Sequence, residues 1–214
     1  MSYTYPHQKD VTELNLWCLE IIHAVQKRLK EFFTFDIRLI GSGEKRLVTQ
    51  KENEYFDLDY NLIIQRDKQD LISEPKTIKD LFTNAFNDIL NQKVKDRHKV
   101  RNSSSVLENE IIEKDQLVFK FDVAILVKAN DDCYYKIAVD KRQTPPRYLW
   151  NRVKDSKNYL SRFSLIKQQF PFDDFKKRYL ELKNLHFNND DRVESFSVFL
   201  EALNEFEQKL RRKN

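Results

Sequence analysis

Three aspartates carry the chemistry this chain offers. Asp57 and Asp59 stand two residues apart in an alternating run, Tyr55 to Ile64 (YFDLDYNLII), and Asp122 lies in the strongest strand signal of the sequence, Leu117 to Val127 (LVFKFDVAILV). Alternation assigns Phe56, Leu58, Tyr60, Leu62 and Ile64 to one face of the first strand and Asp57, Asp59 and Asn61 to the other. In the second strand Lys120, Asp122, Ala124 and Leu126 share a face, so Asp122 interrupts an otherwise apolar surface. An ionised carboxylate in a packed strand costs several kcal/mol unless it is paired, hydrogen-bonded or bound to a metal. Side chains at i and i+2 lie roughly 6 to 7 Å apart, and a neighbouring strand about 4.8 Å away can bring Asp122 to the other two. Three carboxylates meeting on one patch repel one another, and divalent cations relieve that repulsion. A pair of ions about 3.5 to 4 Å apart fits this spacing. Mg²⁺ suits hard oxygen ligands that share the metal with phosphates, and Mn²⁺ is the alternative ion.

The glycines point to the same place. Only 2 of 214 residues are glycine, where average usage of about 7% predicts roughly fifteen. Both fall in Gly41-Ser42-Gly43, after the strand-like run Phe35 to Ile40 (FDIRLI) and before the strand carrying Asp57 and Asp59. Glycine there lets backbone approach a phosphate closely, and Ser42 can donate a hydrogen bond to a phosphate oxygen. The same scarcity excludes folds built on many glycine-rich turns. GSGEKR has neither the GxxxxGK spacing nor the third glycine of GxGxxG, which leaves P-loop and Rossmann chemistry unsupported.

A strand, then Gly41-Ser42, a spacer, the strand Phe56-Asp57-Leu58-Asp59-Tyr60 and the later strand Phe121-Asp122-Val123 together resemble the polymerase-β-like nucleotidyltransferase superfamily. The long N-terminal helix and helical C-terminal part are most similar to its 2′-5′-oligoadenylate synthetase and cyclic GMP-AMP synthase branch, and to compact bacterial nucleotidyltransferase-like proteins. The resemblance implies an enzyme that transfers a nucleoside monophosphate from a nucleoside triphosphate to a hydroxyl acceptor and releases pyrophosphate. It implies that Asp57 and Asp59 hold both Mg²⁺ ions, and that Asp122 binds the ion activating the hydroxyl and can serve as its base. Gly41 and Ser42 would hold the triphosphate. Lys157, Lys183 and Ser195 match, by position in the helical part, residues that touch the triphosphate or base in the wider branch. The chain departs from the pattern in the long, charge-rich spacer between Gly41 and Asp57, and in Glu44, which is expected to point away from the phosphates.

The elements that must position these residues follow from periodicity. Leu14, Trp17, Ile21, Val25, Leu29 and Phe32 mark an amphipathic helix from Asp10, with Asp10 and Glu13 as its capping pair. Thr77 caps a second helix running to about Val94. Val100 to Leu107 reads as a weaker strand through Ser103-Ser104-Ser105, and Asn130-Asp131 as a turn into a strand from Cys133 to Val139. Pro145-Pro146 closes the mixed region. Helices follow near Ser156 to Gln169, Asp173 to His186 and Asp191 to Arg212, the last with Val193, Phe196, Phe199, Leu200, Leu203, Phe206 and Leu210 in register. The expected fold class is α+β, a nucleotidyltransferase-type mixed sheet flanked by helices and followed by a C-terminal helical bundle. The expected domains are a core over residues 1–145 and a helical region over 146–214.

Composition narrows the class. The 38 basic and 34 acidic residues nearly cancel, at a net charge of +4, and 40% of residues are hydrophobic, which excludes a disordered chain. Cys18 and Cys133 are too few for a disulfide framework, and the absence of a signal peptide or long apolar run predicts a cytoplasmic protein without a membrane partner. Expected partners are a nucleoside triphosphate and an RNA or nucleotide acceptor. Two rival readings remain: a catalytically inactive nucleotide- or RNA-binding module of the same fold, and a DxD metal-dependent glycosyltransferase. The second explains neither Gly41-Ser42 nor Asp122.

Overall fold

The computed structural model describes residues 2–52, 54–94, 97–129, 133–153, 157–189, 191 and 193–213. The chain divides into two compact units. One comprises Pro6–Val48 and Glu54–Val153, and the other Met1–Tyr5, Thr49–Asn53 and Lys154–Asn214. The elements in chain order are β1 (Tyr3–Thr4), α1 (Gln8–Arg28), β2 (Phe33–Ile40), α2 (Gly41–Lys45), β3 (Gln50–Lys51), β4 (Asp57–Asp67), α3 (Pro75–Lys93), β5 (Arg97–Asn102), β6 (Leu107–Glu113), β7 (Gln116–Lys128), β8 (Tyr134–Asp140), β9 (Arg147–Arg152), α4 (Lys157–Gln169), α5 (Phe172–Asn188) and α6 (Ser195–Lys213). The fold is α+β. Among the described residues, no helix is long and apolar enough to cross a membrane.

The first unit is a mixed seven-stranded sheet in the order β2-β4-β7-β6-β5, with β8 paired to the far end of β7 and β9 to β8. β4 runs antiparallel to β2 and parallel to β7. Leu58, Tyr60, Leu62 and Ile64 of β4 stand opposite Phe121, Val123, Ile125 and Val127 of β7, and all are buried. α1 contributes Cys18, Ile21, Ile22 and Val25 to the same core, and α3 contributes Ile78, Phe82, Phe86 and Leu90. Each large apolar side chain buried here is worth about 1.5 to 3 kcal/mol against exposure. The opposite face changes character along the strands. It is charged at Asp57, Asp59, Lys120 and Asp122, and apolar farther on, where Ile63, Ala124 and Leu126 pack with Val106, Tyr134 and Val153.

Several local expectations are corrected. α1 begins at Gln8 with His7 as N-cap and no side-chain cap, so Asp10 sits in the first turn as a dipole-compensating charge. α3 starts at Pro75, whose ring suits the first helical position, and Thr77 donates to the Glu74 side chain (2.8 Å) rather than capping. The serine run is a turn, not strand: it joins β5 to β6 as an antiparallel hairpin, with Asn102 opposite Leu107. The turn expected at Asn130-Asp131 lies outside the described residues.

The second unit holds α4, α5 and α6, with β1 pairing antiparallel to β3. Its core is aromatic: Phe163, Phe175, Tyr179, Phe199 and Phe206 are buried, and the Phe163 and Phe199 rings meet edge to face at 5.1 Å between centroids. Val193 stays outside that stripe, and Phe196 lies at its edge, stacked on Phe199 with ring centroids 6.0 Å apart. Both are exposed, and Phe196 meets Tyr159 edge-on.

Candidate active site

The site is built where β2, β4 and β7 run side by side. Asp59 and Asp122 are direct Cα partners across the parallel pair, and Asp57 stands opposite Lys120. Paired positions on adjacent strands share a face, so the three aspartates lie on one side of the sheet. Ile40, the last residue of β2, is the Cα partner of Asp59, which delivers Gly41 directly beside that carboxylate. The long spacer does not separate them, because it leaves the sheet: residues 49–53 belong to the helical unit, where β3 pairs with β1.

Gly41-Ser42-Gly43 is the start of a short helical turn, not an open loop. Gly41 takes φ +66, and a Cβ there would come within 2.9 Å of Asp59 Oδ2. Both the left-handed backbone and the space taken by the carboxylate require glycine. At Gly43 a Cβ would meet only the tip of the Leu39 side chain, at 2.9 Å. The turn closes through Leu47 N–H donating to the Ser42 carbonyl (2.9 Å) and Arg46 N–H to the Gly43 carbonyl (3.2 Å), with Arg46 in the left-handed region. Lys45 folds back and donates to the Gly41 carbonyl at 3.0 Å. Burial pushes its pKa down, opposed by Glu44 and Asp59. Glu44 is half-exposed, with a carboxylate oxygen 3.8 Å from Lys45 Nζ.

Burial sets the electrostatics of the aspartates. It pushes Asp59 up to about 6, with the charge of Asp57 adding to the rise and Lys120 and Lys45 opposing it. Asp122 is likewise raised to about 6 by burial, against the pull of the Lys120 ammonium. Lys120 Nζ lies 3.2 Å from Asp122 Oδ2 and 4.0 Å from Glu108 Oε2. The other oxygen, Asp122 Oδ1, is buried and has no hydrogen-bond partner. An orphaned carboxylate oxygen is a group that a ligand would satisfy.

These residues suit a hard divalent cation in donor chemistry, since they offer carboxylate oxygens on one face with one already desolvated and unpaired. They are not drawn together beforehand: among the described residues, no group of three or more His, Cys, Asp or Glu side chains is close enough to hold a metal ion. Lys120 takes up one Asp122 oxygen.

Of the residues the sequence singles out, Gly41, Ser42, Asp57, Asp59 and Asp122 all fall in the sheet unit, where register sets Asp59 beside Asp122 and Gly41 beside Asp59. Lys183 and Ser195 lie in the helical unit. Lys183 Nζ donates to Thr49 Oγ1 (2.6 Å) and sits over the Tyr3 ring (4.4 Å), and Ser195 opens α6 hydrogen-bonded to Tyr179. Lys157 opens α4, and its side chain lies outside the described residues. Sequence reasoning missed Lys120 as the partner of Asp122, and Glu108, the Cα partner of Asp122 on β6. Alternation in FKFDV already put Lys120 on the carboxylate face, so that signal was present; Glu108 had none, because β6 itself was not recognised.

No protein family described by its sequence matches the chain, and no curated protein matches it. Solved structures do. The chain is similar to Escherichia coli MS115-1 CdnC with ATP, at TM-score 0.61 and 14% identity over 97% of this chain and 62% of that one. It is also similar to Vibrio cholerae DncV in its GTP-bound form, at TM-score 0.59 and 12% identity over 82% of this chain and 45% of that one. A further DncV structure, described as a di-nucleotide cyclase in complex with ATP and GTP, aligns at TM-score 0.58 and 12% identity, over 82% of this chain and 48% of that one. The chain thus spans less than two thirds of the length of these neighbours. At such identities the likeness establishes the fold alone, the one these solved structures share.

Proposed function

We propose, taking the nucleotidyltransferase fold as the premise, that this chain transfers a nucleoside monophosphate from a nucleoside triphosphate to a hydroxyl acceptor. The observation that supports it most is the register placing Asp59 beside Asp122, with Asp57 on the same face and Gly41 against Asp59. In the reaction the acceptor hydroxyl oxygen forms a bond to the α-phosphorus. The bond from that phosphorus to the α,β-bridging oxygen breaks, pyrophosphate leaves with the electron pair, and the hydroxyl proton passes to a base. By resemblance Asp122, whose Oδ1 has no hydrogen-bond partner, is the residue assigned to take that proton. Asp57, Asp59 and Asp122 would hold Mg²⁺ or Mn²⁺, which would supply charge stabilisation at the attacking and leaving oxygens. Gly41 permits close approach of the triphosphate, and Ser42 offers a hydroxyl donor to it. Lys157, Lys183 and Ser195 are assigned to the triphosphate or base by resemblance alone, in the unit that holds α4, α5 and α6. An RNA or a second nucleotide would supply the acceptor hydroxyl.

The test is incubation with each labelled nucleoside triphosphate and Mg²⁺ or Mn²⁺, with and without cellular RNA, followed by product separation and pyrophosphate detection. Metal-dependent pyrophosphate release that is lost in Asp57→Ala, Asp59→Ala and Asp122→Ala supports the assignment. Full activity in all three variants refutes it. One observation favours a second reading, a nucleotide-binding module without catalysis: the Lys120–Asp122 ion pair relieves carboxylate repulsion without any metal. Tight triphosphate binding in the absence of divalent ions, with no pyrophosphate release, would support that module.

A further inference from the structure

We propose that Lys120 is the site's own counter-ion, a positioning residue that holds Asp122 until a divalent cation displaces it and that then retreats to Glu108; this rests on the metal-dependent reading above. Lys120 and Asp122 are two residues apart on β7 and share its charged face. Across the sheet, Asp57 stands opposite Lys120 on β4, and Glu108 opposite Asp122 on β6. The ammonium therefore sits among four carboxylates, those of Asp57, Asp59, Asp122 and Glu108, on three adjacent strands. It is closest to Asp122 Oδ2, at 3.2 Å, while Oδ1 of the same carboxylate is buried and unpartnered. One oxygen of Asp122 is neutralised from within, and the other is left for a ligand.

A divalent cation and a lysine ammonium cannot share one small carboxylate patch without cost. Charges of the same sign a few ångströms apart in a partly buried site repel by an amount that changes affinity about tenfold or more. Glu108 supplies the second seat. Its Oε2 is 4.0 Å from Lys120 Nζ, so a modest rotation of the lysine side chain exchanges Asp122 for Glu108 without leaving the ammonium unpaired. Lys120, Asp122 and Glu108 are 20%, 15% and 26% exposed, enough for that rotation yet dry enough for the charges to be felt. Lys120 thus limits repulsion among the carboxylates in the metal-free protein and sets the threshold for metal binding.

The experiment is calorimetric titration of Mn²⁺ alone into the full chain, without nucleotide, for the unaltered protein, Lys120→Gln, Lys120→Arg, Glu108→Gln, the double variant Lys120→Gln/Glu108→Gln, and Asp122→Ala as the reference for a lost ligand. Lys120→Gln is expected to bind Mn²⁺ about tenfold more tightly while melting at a lower temperature without metal. Lys120→Arg, which keeps the charge, is expected to stay within about twofold of the unaltered protein. Glu108→Gln is expected to weaken binding, and that effect should shrink to under about twofold in the Lys120→Gln background, because Glu108 acts through Lys120. A merely structural lysine would lower the melting temperature without tightening Mn²⁺. Unchanged or weaker affinity in Lys120→Gln, beside clear binding by the unaltered protein, overturns the role of Lys120 alone. Binding no tighter than that of Asp122→Ala in both the unaltered protein and Lys120→Gln overturns the metal-dependent reading, and this inference with it.

Discussion

Asp59 and Asp122 face each other as Cα partners across the parallel strands β4 and β7, both held near pKa 6 by burial. Two carboxylates in that position are a liability to the fold in the metal-free state. A group whose folded pKa exceeds its unfolded value contributes stability below the unfolded value and loses it as pH rises through the folded one, here from about 4 to about 6. Asp59→Asn is therefore expected to raise the metal-free melting temperature at pH 7 while lowering metal-dependent pyrophosphate release at least about 100-fold. Differential scanning calorimetry and a pyrophosphate assay on the same preparation check both halves, and a lower melting temperature would contradict the electrostatic account.

Gly41 and Gly43 should respond differently to alanine. Gly41→Ala places a Cβ 2.9 Å from Asp59 Oδ2 on a backbone at φ +66, and is expected to destabilise by about 1 to 2 kcal/mol. Gly43→Ala meets only a mobile leucine methyl, and should cost less than half as much. Urea denaturation midpoints at constant slope measure the difference.

His186 gives the helical unit a pH dependence. Its Nε2 lies 2.7 Å from Glu201 Oε2 and its Nδ1 3.2 Å from Asp191 Oδ2, and the Glu201 and Asp191 carboxylates raise its pKa above 6.5. The stabilisation is complete below the unfolded value and is lost as pH rises through the raised folded value. Melting temperature is expected to fall as pH rises from about 6 to 8, and His186→Gln should flatten that slope. A slope unchanged by the substitution would remove His186 as its source.

Lys79 acts on the alkaline side. It is 1% exposed on α3, donates to the Ser103 carbonyl at 2.8 Å, and is pushed by burial down to about 8. The folded state resists its protonation, so stability is lost as pH falls through about 8 and regained toward 10.5. Lys79→Met is expected to abolish the rise in stability between those values. Thermal unfolding of the two proteins across that range provides the check.

The parts legible in the sequence are those that depend on neighbours along the chain. Alternation in YFDLDYNLII and LVFKFDVAILV separated core from charged face correctly, because a strand turns its side chains over every residue whatever it pairs with. Helical periodicity likewise found α1 and α3, though with each start displaced, since His7 and Pro75 begin helices without a side-chain cap that a pattern could show. The β5–β6 hairpin escaped because LENEIIE puts buried Asn109 between Leu107 and Ile111 on its inward face, which breaks the apolar pattern.

By itself the sequence determined which residues carry charge, which side of its strand each aspartate occupies, and that glycine is spent only at Gly41 and Gly43. Tertiary structure alone decided that Asp59 pairs with Asp122, that Ile40 brings Gly41 against Asp59 despite the long spacer, and that Lys120 stands between Asp122 and Glu108. The reason is that alternation fixes the face of a residue but not the partner strand or its offset. Register is chosen by the packing of whole faces against α1 and α3, and a shift of one residue would have turned every one of these carboxylates to the other side.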